Sequence, residues 1–180
     1  VKRKSDRYYK MSFEVIDNVL PDTSFNFLSD MIKNSNVWNL DMYSSERTYK
    51  IPGRILFDNN LKTNIVEEKL TPILTFAYTF IKEKAKSPLS DSMIRLHIGA
   101  KPPLMNDDIH TDGNDDEYTI LYYTNKTWSD DWGGQTIVGD EVVNYKPNRA
   151  VIYKSNIEHG GKAPIHPVLR TYVNYVVKGK

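Results

Sequence analysis

From residue 92 onward the apolar residues come in short runs broken by turn-forming residues, at 93–98, 118–124, 135–138, 141–145, 149–153 and 170–177. Evenly punctuated short runs of this kind read as strands, and strands in such number close into a sandwich or barrel. Gly139-Asp140 separates two of the runs as a two-residue hairpin turn does, while Trp132-Gly133-Gly134 and Lys146-Pro147-Asn148 supply further turns.

The first half has a different texture. Residues 11–20 read as a strand leading into Pro21-Asp22-Thr23-Ser24, where Asp22 or Thr23 is expected to cap a helix with Phe25, Leu28, Met31 and Ile32 on one face. Residues 37–50 are polar and irregular, a candidate active-site loop, and 51–57 read as a strand. Helical spacing runs through 60–86 on Leu61, Ile65, Val66, Leu70, Ile73, Leu74, Ala77, Tyr78 and Ile81, with Pro72 predicting a kink or a break. The expected organisation is one domain over 1–180: a flexible basic terminus at 1–10, a helical support layer at 11–90 and a β-rich core at 91–180.

Composition narrows the function classes. The longest uncharged stretch, 70–81, is twelve residues and contains Pro72, well short of the roughly 20 that a membrane span requires, so no membrane partner is expected. There is no cysteine, which excludes disulfides and thiolate metal sites, and no basic-then-apolar start, so a cytoplasmic location is expected. The net charge of +1 hides a basic start (Lys2, Arg3, Lys4, Arg7, Lys10) and six acids in 107–117. Neither run amounts to a nucleic-acid footprint, and no nucleic-acid partner is expected.

His110-Thr111-Asp112 places an imidazole and a carboxylate two residues apart, on one side of extended backbone. His159, beyond several strands in Glu158-His159-Gly160-Gly161, offers a second imidazole and completes the two-histidine, one-carboxylate set of non-haem Fe(II) oxygenases. Singly, each has an ordinary reading: Asp112 could cap the Gly113-Asn114 turn, and His97 with His166 could belong to a zinc or structural site. An EF-hand loop starting at Asp112 fails, with Glu117 in place of its glycine and Tyr123 in place of its final glutamate. Arg170 opens the last strand eleven residues after His159, and a planar cation there suits the distal carboxylate of an oxoacid. Alternation puts Tyr172 and Asn174 on its face, and Tyr123 offers a hydroxyl to the same carboxylate.

Together these residues resemble the 2-oxoglutarate oxygenase superfamily, and within it the prolyl-4-hydroxylase branch. Residues 13–20 followed by a helix look like that branch's opening strand and helix, and His110-x-Asp112 looks like its metal pair. Leu121-Tyr122-Tyr123-Thr124-Asn125-Lys126-Thr127-Trp128 is similar to its tyrosine-rich strand and turn, and Gly133-Gly134-Gln135-Thr136 to its Gly-Gly-x-Thr step. Pro147-Asn148-Arg149-Ala150-Val151-Ile152-Tyr153 matches the strand before the distal histidine. The chain departs from oxygen-sensing relatives at His97-Ile98-Gly99, where they carry tyrosine two residues before the glycine, so one oxoglutarate or substrate contact of those relatives differs here and His97 is the candidate in its place.

The resemblance implies a double-stranded β-helix, or jelly roll, with helices packed on its larger sheet. Its implied metal is Fe(II), held by His110, Asp112 and His159. Its co-substrates would be 2-oxoglutarate and dioxygen, with ascorbate as an accessory, and Arg170, Tyr123, His97 and Asn174 would line the oxoglutarate site. The implied reaction converts 2-oxoglutarate to succinate and carbon dioxide while hydroxylating an unactivated C–H bond. Three readings follow: a hydroxylase of proline in a peptide or protein, with Tyr43, Arg47 and Tyr49 in a lid over 39–50 and with Trp38, Tyr43 and Trp128 packing the proline ring; the same chemistry on a free amino acid or other small molecule; or a non-enzymatic jelly-roll metal-binding module. A demethylase of methylated bases would carry a second arginine six residues after the first, where this chain has Val176.

Overall fold

The computed structural model describes residues 13–35, 38–43, 50–58 and 70–180. In chain order the elements are β1 (Phe13–Ile16), α1 (Asp22–Lys33), β2 (Asn39–Tyr43), β3 (Lys50–Asp58), α2 (Leu70–Lys84), β4 (Leu89–Lys101), β5 (Glu117–Tyr123), β6 (Thr136–Val138), β7 (Glu141–Val143), β8 (Ala150–Lys154), β9 (His159–Gly161) and β10 (Arg170–Gly179). The strands form two antiparallel sheets, one of seven in the order β1-β8-β5-β10-β4-β3-β2 and one of three in the order β7-β6-β9. Among the described residues the protein is thus mainly β with two helices, as its punctuated apolar runs predict.

Alternation along the central strands decides which core each residue joins. Ile120, Tyr122, Ile152, Val173, Tyr175 and Val177 point outward and pack with Phe25, Leu28 and Ile32 of α1 and Leu74, Tyr78 and Ile81 of α2. Leu121, Tyr123, Val151, Tyr153 and Tyr172 point the other way and pack with Val138, Val143 and Tyr145 on the side of the smaller sheet. Every residue of β5 is buried, because one face lies under helices and the other under the second sheet. At about 1.5–3 kcal/mol for each large apolar side chain, these two layers dominate the stabilisation.

Several local expectations are corrected. Asp22 is the first residue of α1 and the cap position is Pro21, with no side-chain cap; the Phe25 amide donates to the Pro21 carbonyl at 2.9 Å instead. Pro72 falls in the first turn of α2, where a missing amide costs nothing. Part of the supposed irregular loop is β2, paired with β3 from Asn39↔Gly53 to Tyr43↔Lys50, whereas the strands expected within 11–20 and at 51–57 are present as β1 and β3. The basic terminus at 1–10, the helical pattern over 60–69, and Arg47 and Tyr49 of the expected lid lie outside the described residues. The Gly139-Asp140 hairpin is present as expected, with Val138 opposite Glu141 and Gly139 at φ +58°. Among the described residues no helix is long and apolar enough to cross a membrane.

One side chain ties the segment leading into α1 to the larger sheet. Asn148, at φ +60°, accepts from the Leu20 amide (3.0 Å) and the Tyr122 hydroxyl (2.8 Å) and donates to the Leu20 carbonyl (2.8 Å). Replacing it with alanine leaves three buried groups without partners and puts at φ +60° a residue that tolerates the left-handed region less well than asparagine does. Asn148→Ala is therefore expected to destabilise the protein by about 3 kcal/mol, read as a lowered denaturation midpoint at unchanged slope.

Candidate functional site

The two histidines are brought together by backbone. His110 and His159 form an isolated antiparallel bridge, each amide donating to the other's carbonyl at 2.9 Å, and their rings stand 4.5 Å apart. Asp112, two residues on, hydrogen-bonds its amide to the Ser155 carbonyl at 2.9 Å, so its carboxylate arrives on the same side. One ligand atom from each of His110, Asp112 and His159 lies within 4.8 Å of the others.

The surroundings set the chemical state of each group. The Nδ1 of His110 is 2.8 Å from the Asp108 carbonyl and the Nδ1 of His159 is 2.9 Å from the Ile157 carbonyl. Carbonyls only accept, so both Nδ1 atoms carry hydrogen and, in the neutral rings, each Nε2 presents a lone pair. The Nε2 of His159 faces Asp112 Oδ2 at 3.3 Å, two acceptors that a shared cation between them would stabilise. Burial alone would raise the Asp112 carboxyl, but the Arg95 guanidinium, together with His159 whenever its ring carries both protons, outweighs that and holds it well below the usual carboxylate range. The donor set and its orientation fit a divalent metal ion.

Arg170 begins β10, and its guanidinium is 1% exposed. Its Nε donates to the Gly134 carbonyl and one Nη to Thr136 Oγ1, each at 2.7 Å, and the same Thr136 oxygen shares a hydrogen with the Tyr123 hydroxyl at 2.7 Å. The rings of Tyr123, Tyr145 and Tyr172 surround it at 5.2–5.5 Å. No carboxylate among the described residues pairs with it. A buried cation lacking an anion is costly unless a ligand supplies one.

Of the other residues expected here, Asn174 donates from Nδ2 to Asp112 Oδ2 at 3.3 Å, while its buried Oδ1 has no partner. His97 lies opposite Asn174 in the register of β4 and β10, edge-on to Tyr172 at 6.0 Å, and makes no hydrogen bond with another described residue. Tyr122 faces the helices. His166 is absent from the metal cluster and stacks on Trp132 at 4.7 Å. Trp38 packs with α1 on the outer core and donates to the Ile32 carbonyl, so it does not line the site. Trp128 packs against Tyr145 with the rings tilted, 4.2 Å apart, and would crowd a Cβ on Gly134, beside Arg170.

Sequence reasoning missed Arg95, whose Nη donates to Asp112 Oδ1 at 2.6 Å, and Thr119, whose hydroxyl reaches Oδ2 at 3.1 Å. It also missed Lys101, fully buried next to Arg170 in the sheet register and ion-paired to Asp107 at 2.5 Å. The available signal was phase: Arg95, His97 and Lys101 alternate along one strand, and charged residues recurring on a buried face are there for a partner.

No family model matches the sequence, and no curated protein sequence matches it. Solved structures match its fold. A prolyl hydroxylase from Trichoplax adhaerens, in complex with a hypoxia inducible factor oxygen degradation domain peptide fragment, has a TM-score of 0.63 at 17% identity over 93% of this chain and 84% of that one. The viral collagen prolyl hydroxylase of Paramecium Bursaria Chlorella virus-1, as a 2OG complex, scores 0.63 at 12% identity over 95% and 98% of the two chains. SnoN, a non-heme alpha ketoglutarate dependent epimerase from nogalamycin biosynthesis, scores 0.61 at 13% identity over 93% and 78%. The chain shares its fold with these proteins. The His-Asp-His cluster and Arg170 sit between the two sheets.

The buried imidazole of His97 yields a pH prediction. Burial, and then the charge of Arg95, push it down to about 3 from the usual 6.5, so it is neutral in the folded protein. Between those values the unfolded chain binds a proton that the folded chain refuses, so stability present above pH 6.5 is lost as pH falls. The stability of wild type minus that of His97→Gln is expected to drop by about 1.4 kcal/mol per pH unit below about pH 6, measured by denaturant titration across pH.

Proposed function

We propose that this chain is an Fe(II)- and 2-oxoglutarate-dependent dioxygenase of the prolyl-4-hydroxylase type, built as a jelly roll, with His110, Asp112 and His159 holding the iron. The observation that carries the reading is the placement of Arg170, a buried guanidinium with no carboxylate partner among the described residues, on the same inner face as the three converging metal-ligand atoms. Bound there, the iron would supply dioxygen activation coupled to decarboxylation of the oxoacid.

The chain's own residues do the positioning. The free Nη1 edge of Arg170 would take the distal carboxylate of 2-oxoglutarate, with the Tyr123 hydroxyl as second donor, and burial keeps that hydroxyl protonated. Asn174 Oδ1 and the His97 ring offer further polar atoms beside Asp112. The three tyrosine rings exclude water from the guanidinium, which strengthens a single carboxylate contact. The proposed primary substrate is a proline-containing peptide, supported by the fold's likeness to a prolyl hydroxylase seen with a peptide fragment. Likeness at almost the same TM-score to SnoN favours a second reading, the same chemistry on a small molecule.

The test is succinate release from 2-oxoglutarate by the anaerobically Fe(II)-loaded protein with ascorbate, with and without a proline-rich peptide. His110→Ala is expected to abolish turnover, and Arg170→Met to raise the oxoglutarate KM at least about tenfold, the worth of one charge-assisted hydrogen bond. Stimulation by the peptide supports prolyl hydroxylation, whereas uncoupled turnover alone supports the small-molecule reading. No turnover, together with no oxoglutarate-dependent absorption band, would leave a non-enzymatic metal-binding module.

A further inference from the structure

The reaction proposed above needs three open positions on a six-coordinate ion, two for a bidentate oxoacid and one for dioxygen. Two imidazoles leave them open only if the carboxylate uses a single oxygen, because carboxylates also bind metals through both. Nothing in the amino-acid type enforces this choice.

The two oxygens of Asp112 have different partners. Oδ2 faces the Nε2 of His159 at 3.3 Å and accepts from Thr119 and Asn174 at 3.1 and 3.3 Å. Oδ1 is taken by Arg95 at 2.6 Å and lies 4.0 Å from the Nε2 of His110, near enough to swing onto the same ion. Behind Arg95 lies a polar cavity of about 140 Å³ whose walls include Asp58, Asn114 and Glu117, with Asp58 opposite it in the register of β3 and β4. A guanidinium–carboxylate bond this short resists replacement by a second, strained metal–oxygen bond.

We infer that Arg95 is a positioning residue that keeps Asp112 a one-oxygen ligand and so preserves the coordination position the oxoacid fills. The inference rests on the proposed function. Arg95 reaches neither substrate nor metal; its effect passes through Asp112.

The experiment separates metal binding from oxoacid binding. Co(II) alone is titrated calorimetrically, with its visible absorption recorded, into wild type, Arg95→Met, Arg95→Gln and Arg95→Lys; 2-oxoglutarate is then titrated into each Co(II)-loaded protein. Both charge-free variants are expected to bind Co(II) at least as tightly as wild type, to show an altered Co(II) spectrum, and to bind 2-oxoglutarate about tenfold more weakly, within the range of outer-shell effects. Arg95→Lys is expected to restore the wild-type spectrum and affinity. Unchanged oxoglutarate affinity in the charge-free variants overturns the inference. So does joint loss of Co(II) and oxoglutarate, which would mean that Arg95 merely holds the carboxylate in place. If wild type shows no Co(II) binding that His110→Ala abolishes, the proposed function fails and the inference falls with it.

Discussion

A strand buried on both faces has no side chain to spare, and β10 is the strand on which this protein depends. Its outward residues Val173, Tyr175 and Val177 anchor the helical layer, while its inward residues Arg170, Tyr172 and Asn174 face the site. The period of two makes these roles inseparable, since sliding the strand by one residue against β4 or β5 would exchange the two sets. The apolar packing of α1 and α2 therefore does more than stabilise. It sets the phase that delivers a guanidinium and an amide to the interior.

The same periodicity explains how much was legible in the sequence. The later strands announce themselves because their apolar runs are bounded by strong turn signals such as Gly139-Asp140, and the metal-type cluster because His110 and Asp112 are two apart in extended backbone. β9 carried no such signal: it is three residues long, two of them glycine, and exists because β6 pairs with it. β2 was hidden likewise in a polar stretch whose strand character comes from β3. The contribution of Arg95 was unreadable for another reason. It arises from a contact between β4 and the segment after His110, and no local pattern encodes which carboxylate a buried arginine will meet.

The charged interior is organised by unequal pairing. Asp112 is surrounded by donors and Lys101 has Asp107, whereas Arg170 is held only by neutral oxygens and aromatic faces. Its holders come from both sheets, Thr136 from β6 and Tyr123 from β5, joined by one hydroxyl contact. The guanidinium thus depends on the spacing of the sheets as well as on its own strand. Lys101 and Asp107 do related work at the edge, tying the loop before His110 to Gly161, whose amide donates to Asp107 at 3.1 Å.

The reciprocal backbone bridge between His110 and His159 carries a consequence for how the molecule assembles. The two residues are distant in sequence, and the ladder joining them closes only after the intervening strands have paired, so the entropy of a long loop is spent before the imidazoles meet. A chain that is still partly formed has no complete ligand set to offer. A divalent ion held by that set would therefore act as a latch, slowing the escape of finished molecules while leaving the speed of their formation almost untouched.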